Sequence, residues 1–258
     1  MTNTKPDVSF RQAVRRLLAD RARAMGLPLD DRQLERFALF ADCLRDGNTR
    51  INLTAITDVE GIVLKHFLDS MAVWPALSRE LEDLRDGNRL AVLDVGTGAG
   101  LPGIALAILD PDIQLTLMDG TLRKVDFLTA ACKTLDMTEV AVVYGRAEEL
   151  GRQPAFREQF PVVVARGLAP LPTLLEYLVP LTGVGGLCLA YKGPNLPVEL
   201  QAARPALQAL RVDVERVIPV QVPGLDATRR VAVFRKTRTT ATKYPRGQGQ
   251  PRRRPLQA

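Results

Sequence analysis

Histidine occurs once in this 258-residue chain, at His66, and cysteine three times, at Cys43, Cys132 and Cys188. There is no CxxC pair and no Cys/His cluster, so nothing is available to build a zinc site, and a disulfide framework is not expected. Long apolar runs are also missing. Stretches such as Leu101–Leu109 fall far short of the roughly 18 residues a membrane span needs. The opening MTNTKPDVSFRQAVRR has no apolar core followed by small residues, so no secretory signal is expected. Together these absences predict a reduced, metal-free, cytoplasmic protein with no membrane contact. What remains is 46% hydrophobic and 25% charged, the composition of a soluble globular chain. The length suits one large domain or a domain with an appendage, burying roughly 70–75% of its unfolded surface.

The formal charge of +6 is unevenly spread. Ten Lys and Arg residues lie between Ala227 and the end, and no acid follows Asp226. Everything before them carries 25 basic against 29 acidic residues, so the positive excess is entirely C-terminal. The stretch KYPRGQGQPRRRP interleaves those cations with Gly, Pro and Gln, which predicts a flexible tail over 239–258 with no core of its own. Its charge suits phosphate; the alternative is a solvated tail that aids solubility.

Residues 1–88 read as a helical cap. Phe10, Val14, Leu17 and Leu18 recur at helix spacing, as do Leu34, Phe37, Ala38, Ala41 and Leu44, with Gly26 and Gly47 as stops. A third helix is expected over Val59–Val73, capped by Thr57-Asp58, and a linker over Leu81–Arg89. From residue 89 to 238 short apolar runs alternate with helical segments. Strands are predicted at Ala91–Val95, Gln114–Met118, Val140–Tyr144, Pro161–Ala165, Gly186–Tyr191, Arg211–Val217 and Arg230–Arg235. Helices are predicted at Leu101–Leu109, Leu122–Leu135, Pro172–Leu181 and Pro197–Leu210. This is the pattern of an α/β fold with a mainly parallel sheet. The last two strands leave no room for a helix between them, so the final strand should be antiparallel. No heptad or apolar stripe demands a dimer, and a monomer is expected.

The sharpest local feature is LAVLDVGTGAGLPGIAL, Leu90–Leu106. An apolar strand ends at Asp94, and Gly96, Gly98 and Gly100 alternate before a helix. Glycines at such a turn let backbone approach a ligand, and the helix start offers unpaired N–H groups. The GxGxG spacing departs from the GxGxxG of dinucleotide sites, because Leu101 stands where the third glycine would be. Asp119 ends the second predicted strand, where a carboxylate could accept bonds from a ribose, and Glu148 and Glu149 follow the third. The ordered set favours a nucleoside-type cofactor, S-adenosylmethionine over NAD.

These residues also carry a resemblance. NLTAITD (Asn52–Asp58), KHFLDS (Lys65–Ser70), LDVGTGAGLPGIALAI (Leu93–Ile108), LMDGTLRKVDFL (Leu117–Leu128), GRAEEL (Gly145–Leu150), VARGLAPL (Val164–Leu171), YKGP (Tyr191–Pro194) and KYPRGQGQP (Lys243–Pro251) follow in order. The chain resembles the RsmG family, or glucose-inhibited division protein B, bacterial 16S ribosomal RNA guanine-N7 methyltransferases. The resemblance implies a class I, Rossmann-like methyltransferase domain of seven strands that binds S-adenosyl-L-methionine and acts on small-subunit ribosomal RNA or the 30S particle. It implies that Gly96 and Leu101 flank the methionine end of the cofactor, with Gly98 and Gly100 of the same loop also binding it. Asp119, Gly120 and Thr121 would hold its ribose, Ala147 and Glu148 its adenine, and Arg166 would line the reaction cleft. Lys65, His66 and Asp69 are expected at the cleft, and Lys192, Lys243 and Arg246 at RNA phosphate. Trp74 and Tyr191 could stack on bases, although a lone Trp before a proline is more often packed at a helix end. Guanine N7 carries a lone pair and no proton, so no proton-transferring catalyst is expected. The open alternatives are a same-fold methyltransferase with another acceptor and a non-enzymatic RNA-binding assembly factor, with an NAD oxidoreductase more distant.

Overall fold

Helix α1 (Val8–Ala24) buries the one-sided stripe Phe10, Val14, Leu18 and Ala22. The chain then turns at Gly26, in the left-handed region at φ +72°. Helix α2 (Asp31–Asn48) starts at a capping box, the Asp30 carboxylate accepting from the Gln33 amide while the Gln33 side chain accepts from the Asp30 N–H. Arg15 Nη1 donates to Glu35 at 3.0 Å and Arg11 pairs with Asp42, tying the two helices together. Helix α3 (Val59–Gly61) widens into a π-helix over Ile62–Leu68 and returns to α4 (Asp69–Met71), so the expected third helix forms with an unforeseen wide turn inside it. A 3₁₀ turn at Trp74–Leu77 and α5 (Ser78–Glu82) complete this part.

In this computed structural model, which describes residues 8–256, the alternating half builds as the pattern predicts. Strand β1 (Leu90–Val95) leads to α6 (Gly103–Leu109), β2 (Ile113–Asp119) to α7 (Leu122–Thr134), and β3 (Ala141–Tyr144) to the short α8 (Ala147–Leu150). Strand β4 (Phe160–Arg166) precedes α9 (Leu171–Leu178), and β5 (Thr182–Lys192) precedes α10 (Leu196–Ala202) and α11 (Arg204–Leu210). Strands β6 (Val212–Val220) and β7 (Arg229–Lys236) close the sheet, and α12 (Gln250–Arg253) lies beyond it. The sheet order is β3-β2-β1-β4-β5-β7-β6, parallel except for β7, which runs antiparallel to both neighbours. The single helix expected over Pro197–Leu210 is two. Pro205 has no N–H to continue the ladder and its ring crowds the preceding turn, so the chain breaks at Ala203.

Two apolar layers flank the sheet. The first merges α1, α2 and the π-helix with α6 and α7 on one face: Phe37, Phe40, Phe67 and Leu18 share a cluster with Val92, Leu115, Val162 and Val233. The cap therefore has no core separate from that of the sheet. The second packs α9, α10 and α11 on the opposite face, around Leu174, Leu175, Leu178 and Phe234.

The C-terminal tail is not loose. It folds into a strap over α8 and α9, and the flexible tail expected from its composition is corrected for residues 239–256. Glu176, fully buried on α9, accepts the Arg246 guanidinium in a fork, with Nη2 to Oε2 at 2.6 Å and Nε to Oε1 at 2.9 Å, and the Arg246 amide as well. Arg157 donates to the carbonyls of Tyr244 and Thr240, both at 2.8 Å. Thr173 Oγ1 donates to the Pro251 carbonyl at 3.0 Å. Tyr244 and Pro251 are buried. Composition misled here because the strap needs no core of its own: Thr173 and Glu176 on α9, with Arg157 beyond α8, hold its backbone.

Candidate functional site

The penultimate residue of strand β1 is Asp94, which is fully buried. One carboxylate oxygen, Oδ2, accepts from Thr97 Oγ1 at 2.6 Å and from the Gly103 N–H at 2.8 Å, pinning both ends of the glycine loop to the strand. The other, Oδ1, is buried with no hydrogen-bond partner among the described residues. Burial pushes the Asp94 carboxyl up to about 6, against the two hydrogen bonds. Gly96 (φ +65°) and Gly98 (φ +60°) lie in the left-handed region. A Cβ on Gly96 would stand 2.5 Å from Leu168 Cδ1, whereas one on Gly98 would meet nothing closer than 3.9 Å. The loop thus presents open backbone at Gly98 and is roofed by the turn after β4 at Gly96. At the end of β2 the Asp119 carboxylate accepts from Gly98 N (3.0 Å) and Thr121 N (2.9 Å), joining the glycine loop to the Asp119-Gly120-Thr121 turn. Lys124 Nζ stands 3.9 Å from the same Oδ2 that accepts from Gly98.

Beside this crevice lies a cavity of about 380 Å³ bounded by the π-helix, the carboxyl ends of β4 and β5 and the start of β7. Lys65, His66, Asp69, Arg166, Arg229 and Arg230 line it, among others. Arg166 Nη1 donates to Asp69 Oδ2 and to the Lys65 carbonyl, both at 3.0 Å. Arg229 Nε stands 3.4 Å from the other Asp69 oxygen. Burial pushes the Asp69 carboxyl upward, opposed by the two guanidinium groups. His66 Nε2 lies 2.9 Å from Thr54 Oγ1. Burial, reinforced by Arg166, lowers its imidazole to about 4, so it is neutral at physiological pH. The wall is cationic: Lys65, Arg166, Lys192, Arg229 and Arg230 line it with a single carboxylate, that of Asp69.

The structure brings Gly96, Gly98, Gly100, Leu101, Asp119, Gly120 and Thr121 together at the ends of β1 and β2, and sets Lys65, His66, Asp69 and Arg166 around the cavity. Several residues hold partners that the sequence did not suggest. Arg166 pairs with Asp69. Glu148 is buried beside Ala147 on α8, and its Oε1 accepts from the Gly249 amide of the strap at 2.9 Å. Lys192 is not a free phosphate ligand, since its ammonium donates to Glu199 Oε2 at 2.6 Å and to the Ala169 carbonyl at 2.7 Å. Arg246 is likewise held by Glu176, whereas Lys243 is exposed beside the Tyr244 ring. Trp74 and Tyr191 are both buried, with Trp74 Nε1 directed to Asp110 and the Tyr191 hydroxyl donating to the Ser70 carbonyl at 2.8 Å, and Tyr191 also lines the cavity. Sequence reasoning passed over Asp94, although an acid directly before a glycine loop marks it. It also passed over Arg229, whose partner Asp69 is too far away in the chain to signal the pair.

Residues 33–229 match the family described as rRNA small subunit methyltransferase G. The chain belongs to this family. Among relatives bearing the name Ribosomal RNA small subunit methyltransferase G, one from Acetivibrio thermocellus is 41% identical over 94% of this chain and 97% of its own length. Another, from a Roseiflexus species, is 44% identical over 93% of this chain and 99% of the relative. Of the solved structures, TrmN from Thermus thermophilus shares 21% identity over 63% of this chain and 47% of that one, at a TM-score of 0.44. Membership in the methyltransferase G family extends over both the glycine loop and the cationic cavity, since both lie almost wholly within the matched residues.

Proposed function

We propose that the crevice at the ends of β1 and β2 holds S-adenosyl-L-methionine and that the chain transfers its methyl group to N7 of a guanine in small-subunit ribosomal RNA. The observation that carries this reading is the join between Gly98 N and Asp119 Oδ2, which builds one continuous cradle beside a cationic cavity. The residues fit the cofactor. The unpartnered Asp94 oxygen suits a ligand that carries positive charge, and the open backbone at Gly98 lets one approach. Asp119, Gly120 and Thr121 would hold the ribose, and Ala147 with the Glu148 side chain the adenine. When bound, S-adenosylmethionine supplies an electrophilic methyl group on a sulfonium.

The protein's own contribution is positioning. Lys65, Arg166, Arg229 and Arg230 attract the RNA backbone and orient the base entering the cavity. Arg166 is itself fixed by Asp69 and by the carbonyl of Lys65 in the π-helix, so its orientation is set before substrate arrives. Guanine N7 has no proton to remove, and no catalytic base is assigned. His66, the one imidazole at the cavity, is held far below neutrality in keeping with this. A same-fold enzyme with another acceptor would have less use for so cationic a wall.

The test uses labelled S-adenosylmethionine and small ribosomal subunits from cells lacking the protein. Incorporation at one site, mapped as 7-methylguanosine by borohydride and aniline cleavage, is the expected outcome. Incorporation that is resistant to this cleavage would overturn the acceptor atom, and none at all would overturn the reading.

A further inference from the structure

The strap reaches the candidate cofactor crevice and carries unpaired cations there. Gly249 donates its amide to Glu148 Oε1, the carboxylate assigned to the adenine. Three residues on, Arg252 of α12 and Arg254 just after it are exposed, and their side chains make no hydrogen bond or ion pair among the described residues. Arg253 differs, because its guanidinium folds back onto the carbonyls of Gly249 and Gln248, at 3.3 Å each. Two residues before Glu148, Arg146 stands at the start of α8 and is exposed. Its stem lies over the ribose turn, so that a Cβ on Gly120 would stand 3.2 Å from Arg146 Cγ. The Tyr177 hydroxyl, raised chiefly by burial, feels Glu148 and Glu176 on one hand and Arg252 and Arg146 on the other, which gathers these charges around one ring. No acid occurs anywhere in the strap.

We propose that Arg146, Arg252 and Arg254 form a phosphate-binding ridge for the RNA strand, and that the Gly249–Glu148 bond makes the strap a wall of the cofactor pocket. The inference rests on the reading above that this chain binds RNA beside its cofactor. It adds a second surface, distinct from the cationic cavity. The cavity takes the target base, and the ridge takes backbone of the same strand near the adenine end of the crevice. Arg246 belongs to the anchor, and the arginines downstream of it do the binding. Because Glu148 is shared, an ordered strap favours cofactor and a bound cofactor favours an ordered ridge, and the coupling has to be reciprocal.

Three proteins test this: the full chain, R252A/R254A, and a chain ending at Gln248 that keeps Arg246 on Glu176. Binding of a small-subunit RNA fragment is followed against salt, and binding of S-adenosylhomocysteine by calorimetry without RNA. The double variant should bind RNA about tenfold more weakly, and its log K against log[salt] slope should be shallower by about 1.4, roughly 0.7 for each single-strand phosphate that is no longer neutralised. Its affinity for S-adenosylhomocysteine should match the full chain. The chain ending at Gln248 should lose several-fold in S-adenosylhomocysteine affinity. Unchanged RNA affinity and slope in R252A/R254A would overturn the ridge, and unchanged cofactor affinity in the shortened chain would overturn the shared wall. If instead the full chain fails to methylate the subunit RNA at all, it is the underlying function that fails.

Discussion

Burial acts on Asp94 and His66 in opposite directions, and the two effects overlap in pH. Asp94 rises from an ordinary 3.8 to about 6, so between these values the folded protein holds a proton that the unfolded chain has released. Its contribution to stability therefore falls as pH rises through that window. His66 drops from 6.5 to about 4, so the unfolded chain holds the extra proton and stability rises with pH over the same range. In the native protein the slopes offset one another between about pH 4 and 6. Asp94→Asn should expose the His66 slope, with stability lost as pH falls from 6.5 to 4. His66→Gln should expose the Asp94 slope, with stability gained as pH falls from about 6 to 3.8. Urea unfolding of both variants across this range checks the opposite signs, and parallel profiles would count against the burial of either group. Asp94→Asn should also weaken cofactor binding at slightly alkaline pH without lowering stability there, because it removes an uncompensated buried charge.

At the scale of elements, the strap depends on one pair. Glu176 has no solvent exposure, and Arg246 is its ion-pair partner. Arg246→Ala would leave the carboxylate buried and unpaired and should cost about 3–5 kcal/mol in chemical denaturation. Adding Glu176→Ala should recover a good part of that loss, since the second change removes the stranded charge. Destabilisation that deepened in the double variant would mean the pair is not the anchor. The strap also marks the limit of what was legible. Strand–helix alternation, the glycine loop and the reversed last strand follow from short apolar periods and from loop lengths, and the strands stand where those signals put them. Arg246 on Glu176, Lys192 on Glu199 and Arg229 on Asp69 are pairings made by the fold, and composition presents each of those cations as free. The π-turn beneath Lys65 and His66 was equally hidden, because a one-residue widening leaves apolar spacing nearly unchanged.

Across the whole molecule, cap and sheet share one apolar layer. Phe10, Val14, Leu18 and Ala22 of α1 sit in the same cluster as the sheet residues Val92 and Val233. Burying each of the three larger side chains contributes about 1.5–3 kcal/mol, a substantial part of the roughly 5–15 kcal/mol of a typical domain. A chain that starts at Leu27 should therefore lose its cooperative unfolding transition, and the full chain should melt in a single one by scanning calorimetry. Two resolved transitions in the full chain would show instead that the cap folds by itself. The crevice inherits this unity: the π-helix that supplies Lys65, and the turn of α4 that supplies Asp69, are held by cap and sheet together.

The strap also sets an order in time. Arg246 leaves the ribosome 70 residues after the Glu176 it neutralises, and Tyr244 leaves 87 residues after the Arg157 that grips its carbonyl. Until they emerge, α8 and α9 wait with their polar anchors unanswered, and the wall beside Glu148 is missing. In synthesis, then, the strap is the last part of the described fold to meet its partners.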